Sequence, residues 1–92
     1  TIGTEIRKIR PCVVLSPDEM NDAVGTVLVA PLTPTIKPWP FRINILVKGK
    51  ETCLACDQIR SVDHSRLKEH MATLSPNESK AVLRILQEIF AE

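Results

Sequence analysis

Apolar residues form short runs along the chain, separated by segments that contain proline or glycine, and this pattern is typical of a small β protein. The run at residues 11–15 predicts a first buried strand, and the run at residues 26–32 predicts a second. The second run is apolar on both faces, which indicates a central place in a sheet. Residues 1–9 are polar and basic and are predicted to be a loop.

The middle of the chain has the pattern of a β-hairpin. Residues 33–40 include three prolines and are predicted to form a loop, because proline cannot donate to a strand ladder. Residues 41–47 at first alternate apolar and polar side chains, and residues 52–56 are their expected partner across a turn at Gly49. Residues 58–62 are predicted to extend this partner strand past a bend.

Two serine-proline pairs carry the signals of helix starts. Ser16 and Ser75 are predicted N-caps, because proline follows each directly and a glutamate stands three residues later. Gly25 limits the first helix to a short one. After Ser75, which follows a predicted short strand at residues 73–74, apolar residues recur at spacings of three and four and predict an amphipathic C-terminal helix. Residues 1–92 are therefore interpreted as a single mainly β domain closed by a helix.

The charge balance argues against one class of nucleic-acid binder. The formal net charge of +1, from 12 basic and 11 acidic residues, provides no strong overall attraction for RNA or DNA. Arg7, Lys8 and Arg10 nevertheless cluster before the first strand, with Glu5 as the one acid among them. No apolar stretch approaches the roughly 20 residues that span a bilayer, and we expect no signal peptide. We therefore expect a cytoplasmic protein without membrane contact.

The cysteines and histidines do not form a metal-binding or catalytic pattern. Cys12, Cys53 and Cys56 lie in apolar or strand-like segments and are interpreted as buried small side chains in a reducing compartment. The Cys53–Cys56 pair lacks the further ligands that a zinc site needs. His64 and His70 stand in a polar stretch and are interpreted as surface residues. We expect no metal and no cofactor.

Polar residues at strand ends are the candidates for chemistry, because functional side chains concentrate at such places. Arg10 directly precedes the first predicted strand, and Thr33 ends the second. Asp57 directly follows the strand predicted at residues 52–56, with Arg60 three residues beyond it. Each also fits a structural role: Arg10 as a solvated charge, Thr33 as a turn former, and Asp57 with Arg60 as a local ion pair.

The proline-rich loop supplies a second set of candidates. Lys37, Trp39 and Phe41 offer a positive charge and two aromatic rings, which suit contacts with unpaired bases. For Trp39, packing in the core or in a dimer interface is an equally good interpretation. Phe41 is expected to face the core.

Four ordered motifs of the chain resemble the MazF/PemK toxins, at the spacing of that family. They are R-P-C-V-V-L-S-P-D at residues 10–18, V-L-V-A-P-L-T at 27–33, K-P-W-P-F at 37–41 and D-Q-I-R-S-V-D at 57–63. Together with the terminal helix they cover nearly the whole chain. The resemblance implies an SH3-like small β-barrel, a homodimer, and a toxin that is inhibited by a cognate antitoxin.

The resemblance also implies an activity, the sequence-specific cleavage of single-stranded mRNA by an endoribonuclease. In that reaction the RNA 2′-hydroxyl attacks the adjacent phosphorus and leaves a 2′,3′-cyclic phosphate and a 5′-hydroxyl end. By resemblance Arg10 is the catalytic arginine, and Thr33 is the threonine that contacts the scissile phosphate. The expected RNA contacts around them are Glu5, Lys37, Trp39 and Arg60.

The chain departs from the family pattern in two places. Asp57 matches the residue that acts as a base in one branch of the family, but the arginine that usually stands two residues earlier is Ala55 here. This predicts a weakened Asp57–arginine pair and leaves Asp57 as either a base or a structural residue. The opening strand motif of the family is also absent, so we expect an N-terminally truncated domain that lacks this strand.

Two other functions fit the same motifs. The CcdB poisons share the fold, and they bind gyrase through the C-terminal helix without cleaving RNA. A truncated relative without catalytic activity would only bind the antitoxin. The strand-end hydroxyl of Thr33 and the Arg-Pro start at Arg10 favour the nuclease.

Overall fold

The computed structural model of the chain describes residues 2–5 and 10–91, with the side chains of residues 2–5, 10, 18 and 68–71 outside the described part. Strands dominate these residues, and one short and one long helix accompany them. In chain order the elements are β1 (Ile2–Glu5), β2 (Arg10–Val14), α1 (Asp18–Val24), β3 (Thr26–Thr33), β4 (Arg42–Val47), β5 (Lys50–Ala55), β6 (Arg60–Asp63), β7 (Leu67–Ala72) and α2 (Pro76–Phe90). The prediction of a mainly β fold with a C-terminal helix is confirmed.

β3 is the central strand of the described sheet, as its apolar sequence predicted. The strand order is β4-β5-β3-β2-β1-β7, every described pairing is antiparallel, and β6 also pairs with β3. The first half of β3 pairs with β6, and its last two residues, Leu32 and Thr33, pair with β5. β3 therefore links the two parts of the sheet and ends beside β5.

Both faces of β3 are buried, each in a different apolar cluster. Val27 and Val29 belong to a small cluster with Cys12 and Val62. Ala30 and Leu32 belong to a larger cluster against which α2 packs: Val13, Ala30, Leu32, Ile45, Val47, Leu54, Cys56 and Val82. Burial of these side chains removes apolar surface from water on both sides of the strand, and this fixes the position of its end at Thr33.

The β4–β5 hairpin has the turn that its sequence predicted. Lys48 and Gly49 both have positive φ, 50° and 80°, the combination that a two-residue type I′ hairpin turn requires. The turn sets the register Val47 opposite Lys50, which continues to Arg42 opposite Ala55. This register places the first residue of β4 beside the last residue of β5.

The two serine-proline helix starts differ in the structure. Ser75 caps α2 in a full capping box, in which its side chain accepts from the Glu78 N–H and Glu78 accepts from the Ser75 N–H, as predicted. The prediction for Ser16 is wrong, because Pro17 is the N-cap of α1. Ser16 is buried instead, where its hydroxyl donates to the Asn21 side chain and accepts from the Leu28 N–H at 3.0 Å.

Two segments with weak local signals were also predicted wrongly. Ile2–Glu5 forms β1, which pairs with both β2 and β7, although residues 1–9 were predicted to be a loop; residues 1 and 6–9 lie outside the described residues. Leu67–Ala72 forms β7, although a strand was predicted only at residues 73–74. Backbone pairing with neighbouring strands stabilises both segments whatever their side chains favour locally.

In the described part of the chain, neither helix is long and apolar enough to cross a bilayer.

Candidate functional site

The end of β3 opens into a groove with a volume of about 560 Å³. It forms where the proline-rich loop leaves β3 and where β2 and β4 begin. The residues that line it are Pro11, Pro31, Leu32, Thr33, Pro34, Arg42, Thr52 and Gln58. Arg42 is the one charged side chain among these described lining residues.

Thr33 lies in this groove, where the sequence predicted a functional hydroxyl. Its Cα stands opposite Cys53 of β5, and the residue is half-buried. The Thr33 Oγ1 accepts a hydrogen bond from the Thr35 N–H at 3.2 Å. This bond orients the hydroxyl, and its own hydrogen can be donated to an anionic ligand in the groove.

The backbone of Arg10 begins β2 beside the groove. Arg10 is paired with Glu5 of β1, and the next residue, Pro11, lines the groove. Proline restricts the preceding residue to extended conformations, which suits the first position of a strand. The side chains of Arg10 and Glu5 lie outside the described part of the chain, so the roles predicted for them stay predictions.

Asp57 is held by an arginine that the sequence analysis did not single out. The Arg42 Nε donates to Asp57 Oδ1 at 2.8 Å, and Arg42 Nη2 donates to Asp57 Oδ2 at 3.1 Å. This is the two-pronged geometry that a guanidinium and a carboxylate favour. Hydrogen bonding to Asp57 raises the pKa of Arg42 above its ordinary value and keeps the guanidinium charged.

The predicted weakening of an Asp57–arginine pair by Ala55 is therefore wrong, because Arg42 supplies the guanidinium. Arg42 of β4 stands directly opposite Ala55 of β5, so that the guanidinium reaches Asp57 from the neighbouring strand. A residue paired across a hairpin can occupy the space beside Ala55 because the two Cβ atoms are only about 4.5–5.5 Å apart. The sequence contained a signal for this pair, since the Lys48–Gly49 turn fixes the register that joins residues 42 and 55.

Trp39 connects the proline-rich loop to this ion pair. The Arg42 guanidinium carbon lies 4.9 Å from the centroid of the Trp39 ring, and Lys37 Nζ lies 5.6 Å from it. The Phe41 ring is 5.5 Å from the Trp39 ring and tilted by 47°. Trp39 remains 42% exposed, so its ring has a surface that can stack against a ligand. Phe41, which was expected to face the core, is half-buried beside Trp39.

The remaining predicted site residues lie apart from the groove lining. Arg60 is exposed at the start of β6, with its Cα opposite Val29 of β3.

Gln58 lines the groove and follows Asp57 in the chain, although the sequence analysis assigned it no function. His64 is exposed, as predicted, in the 3₁₀ turn His64–Arg66, whereas the His70 side chain lies outside the described residues.

All three cysteines are buried, as the sequence predicted. Burial raises the pKa of the Cys56 thiol to about 11, and the nearby Asp57 charge adds to the effect. Cys56 is therefore a protonated, inert thiol at neutral pH. Within the described residues, no group of three or more His, Cys, Asp or Glu side chains is arranged to hold a metal ion.

Solved structures with the same fold are MazF-like toxins. The Mycobacterium tuberculosis toxin MazF-mt6 superposes with a TM-score of 0.86 at 18% sequence identity, over 97% of this chain and 94% of that chain. A chain of the MazE-MazF crystal structure (Form-III) from Deinococcus radiodurans has a TM-score of 0.81 at 27% identity, over 96% of this chain and 89% of that chain.

The sequence comparisons give the family. A family model described as PemK-like, MazF-like toxin of type II toxin-antitoxin system matches residues 1–90. The Endoribonuclease MazF of Staphylococcus saprophyticus is 31% identical over an alignment of 86 residues, and the alignment covers 87% of this chain and 72% of that protein. The chain belongs to the family of PemK-like, MazF-like toxins of type II toxin-antitoxin systems.

Proposed function

We propose that this toxin is a sequence-specific endoribonuclease that cleaves single-stranded mRNA. The observation that carries the proposal is the groove at the end of β3, which Thr33 and Arg42 both line. A relative in the same family is named an endoribonuclease. Hydroxyl and guanidinium donors beside one cavity are suited to binding the oxygens of a phosphodiester.

The proposed reaction uses the RNA itself as the nucleophile. The 2′-oxygen attacks the adjacent phosphorus as its proton is removed, and the bond from phosphorus to the 5′-oxygen breaks as that oxygen gains a proton. The products are a 2′,3′-cyclic phosphate and a 5′-hydroxyl end, with no net consumption of water. Negative charge grows on the phosphoryl oxygens in the transition state, so preorganised donors lower the barrier.

Arg10 and Thr33 have separate roles in this proposal. Arg10, at the start of β2 beside Pro11, donates to the phosphoryl oxygens, and its guanidinium stays charged at any working pH. Thr33 positions the scissile phosphate by donating its hydroxyl hydrogen, because a hydroxyl of ordinary acidity is a poor general base. Asp57 has two candidate roles, as a proton acceptor or as a support for Arg42.

The bases on either side of the scissile phosphate are proposed to bind the loop and strand ends. The exposed ring of Trp39 offers a stacking surface, and Lys37 adds a positive charge beside it. Arg60 is exposed on β6 and is proposed to contact the RNA backbone further along its path. Glu5 is proposed to contact a nucleotide from β1.

The partners are proposed from the family and from exposed apolar surface. The solved MazE-MazF structure contains a toxin with its antitoxin, and we expect a cognate antitoxin to inhibit this chain. A homodimer would cover part of the exposed apolar surface, to which Leu46, Leu83 and Phe90 contribute, with exposed fractions of 67%, 56% and 72%. The cytoplasm, where mRNA and antitoxin are present, is the proposed location.

Incubation of the purified chain with single-stranded RNA tests the proposal. We expect cleavage at a recurrent short sequence, 5′-hydroxyl ends, and no cleavage when the nucleotide before the scissile phosphate carries 2′-deoxyribose. Arg10→Ala should lower the cleavage rate by about 100- to 1,000-fold. Arg84→Ala, an exposed arginine of α2, is the matched control and should cleave normally.

Two results would overturn this function. A chain that leaves RNA intact but inhibits gyrase in a supercoiling assay is a CcdB-like poison. A chain that is folded and binds its antitoxin but leaves both RNA and gyrase unaffected is a non-catalytic relative. Equal cleavage rates for wild type and Arg10→Ala would remove the role assigned to Arg10.

A further inference from the structure

We propose that Arg42 is a second catalytic arginine of this groove, an inference that rests on the proposed endoribonuclease function. Its guanidinium donates to the phosphoryl oxygens of RNA bound beside Thr33. Asp57 acts as a positioning residue that holds the guanidinium at the groove. This assigns to β4 a functional residue that none of the sequence motifs identified.

The position of Arg42 gives the first argument. Arg42 lines the groove together with Thr33, and it is the charged residue among the described lining residues. The Arg42 side chain is only 7% exposed, whereas that of Asp57 is 32% exposed. A guanidinium that is largely shielded from water interacts more strongly with an anion than an exposed one does. The groove therefore has guanidinium N–H donors at its wall that suit the oxygens of a phosphodiester.

The contacts of Arg42 give the second argument. Asp57 holds one edge of the guanidinium through two hydrogen bonds, of 2.8 and 3.1 Å, and Trp39 lies 4.9 Å from the guanidinium carbon. A guanidinium has five N–H donors, and Asp57 accepts from two of them. An arginine fixed along one edge and against an aromatic ring needs little reorganisation to bind a charge that develops in the transition state.

The geometry favours a supporting role for Asp57 over a role as the base. Both of its carboxylate oxygens already accept hydrogen bonds from Arg42. Gln58, and not Asp57, is among the described residues that line the groove. A proton acceptor must reach the 2′-hydroxyl, so the base role would require Asp57 to leave Arg42. The positioning role uses the arrangement as it stands.

The register of the hairpin supplies a direct test of where the guanidinium is needed. Arg42 is opposite Ala55, so an arginine placed at position 55 can enter the same space from the other strand. In the Arg42→Ala background, the Ala55→Arg change would return a guanidinium to the site. Rescue by this exchange would show that the charged group, and not the packing of one side chain, is required.

The experiment measures single-turnover cleavage of a single-stranded RNA that the wild-type chain cuts. Arg42→Ala should lower the rate constant at saturating enzyme by about 100- to 1,000-fold. Its affinity for the 2′-deoxy form of the same RNA should change by less than about fivefold, because the contact is made mainly in the transition state. Arg84→Ala, which removes an exposed arginine from α2, should change neither quantity.

Two double variants separate the roles of Arg42 and Asp57. Asp57→Asn should lower the rate by less than Arg42→Ala does, and adding it to Arg42→Ala should cause no further loss, because Asp57 acts through Arg42. The double variant Arg42→Ala with Ala55→Arg should cleave RNA at least tenfold faster than Arg42→Ala alone. Circular dichroism at the assay temperature establishes that each compared variant is folded, and Arg42→Lys replaces Arg42→Ala if the latter unfolds.

The outcomes distinguish a failure of the proposed function from a failure of the roles of Arg42 and Asp57. If the wild-type chain cuts no RNA, the proposed function fails. If it cuts RNA and the folded Arg42 variant cuts equally well, the role of Arg42 fails alone. A further loss of tenfold or more on adding Asp57→Asn to Arg42→Ala would assign Asp57 an independent role as the base and overturn its positioning role. Loss of RNA affinity in the same proportion as the rate would make Arg42 a binding residue and overturn its catalytic role.

Discussion

Thr33 and Arg42 reach one groove from two strands that are not neighbours. β5 lies between β3 and β4 in the sheet, and the row Thr33–Cys53–Asn44 crosses all three strands. Arg42 is two residues from Asn44 along β4 and therefore projects from the same face. A hydroxyl and a guanidinium are thus presented together by a sheet whose opposite face is buried in the larger apolar cluster.

The hydroxyl of Thr33 can be tested with a substitution that keeps its shape. Thr33→Val removes the donor and should lower the cleavage rate by about 10- to 150-fold, because a hydrogen bond to a charged group contributes about 1.5–3 kcal/mol. The Thr35 N–H that loses its acceptor is exposed, so we expect little change in stability.

Thr33→Ser is the matched control, since it keeps the hydroxyl and deletes a methyl group. It should retain cleavage within a few-fold of wild type in the same single-turnover assay. Equal losses for valine and serine would mean that the threonine methyl group, and not its hydroxyl, matters at this position.

The β4–β5 hairpin is the element that brings Arg42 to Asp57. Its turn has two residues at positive φ, and its six paired positions extend from Val47–Lys50 to Arg42–Ala55. A shift of register by one residue would turn every side chain of β4 to the other face. The turn residues, although remote in sequence from Asp57, therefore determine whether the ion pair forms.

Gly49→Ala tests the turn. A Cβ at Gly49 would meet no atom within 4 Å, so the cost arises only from its backbone φ of +80°. We expect the free energy of unfolding to fall by about 1–2 kcal/mol, measured by urea denaturation. Lys48→Asn is the comparison, because asparagine tolerates positive φ better than lysine does, and it should leave stability unchanged or raise it.

The capping box of α2 is a second element that the sequence specifies locally. Ser75→Ala removes the side chain that accepts from the Glu78 N–H and should lower the free energy of unfolding by about 0.5–2 kcal/mol. Ser79→Ala, one turn further along the same helix, should change it by no more than about 0.5 kcal/mol. If the two substitutions had equal effects in thermal or urea unfolding, the cap would contribute nothing specific.

At the scale of the molecule, the two apolar clusters share β3 and bury two of the three cysteines. Cys12 belongs to the smaller cluster and Cys56 to the larger. Cys56 also lies next to Asp57 in the chain, so the larger cluster extends to the ion pair at the groove. The folded state therefore keeps the Cys56 thiol protonated at pH values at which an exposed thiol ionises.

This burial predicts a loss of stability at high pH. The Cys56 thiol has a pKa of about 11 in the folded protein against 9.0 for the ordinary group. Between these values the unfolded chain has lost the proton and the folded chain still holds it, so the free energy of unfolding decreases as pH rises. The Cys56 contribution is at most about 1.4 kcal/mol per pH unit across this interval and is absent below it.

Cys56→Ala provides the control for this pH dependence. The variant starts from a lower stability because a cavity replaces the thiol, but the remaining titrating groups are the same. Its free energy of unfolding should therefore fall less steeply between pH 9 and pH 11 than that of the wild type, as measured by urea denaturation in a series of buffers. Parallel slopes would contradict the assignment of this titration to Cys56.

Several features of the protein were determined by short stretches of sequence. The spacing of apolar residues after Ser75 defined α2, and the lysine-glycine turn defined the β4–β5 hairpin. The apolar run that ends at Thr33 predicted a central strand. In each case the physical cause is local: side-chain period, a backbone N–H that needs an acceptor, or a residue that accepts positive φ. The ordered motifs, compared with a known family, then indicated Arg10 and Thr33.

Only the tertiary structure decided the features that depend on residues distant in sequence. β1 and β7 form because each pairs with neighbours supplied by other parts of the chain. Ser16 is a buried hydrogen-bonding residue because α1 and β3 pack around it. Asp57 has an arginine partner although its own strand supplies Ala55, because the hairpin register places Arg42 opposite that alanine. A partner 15 residues away in sequence becomes a neighbour only when the strands pair.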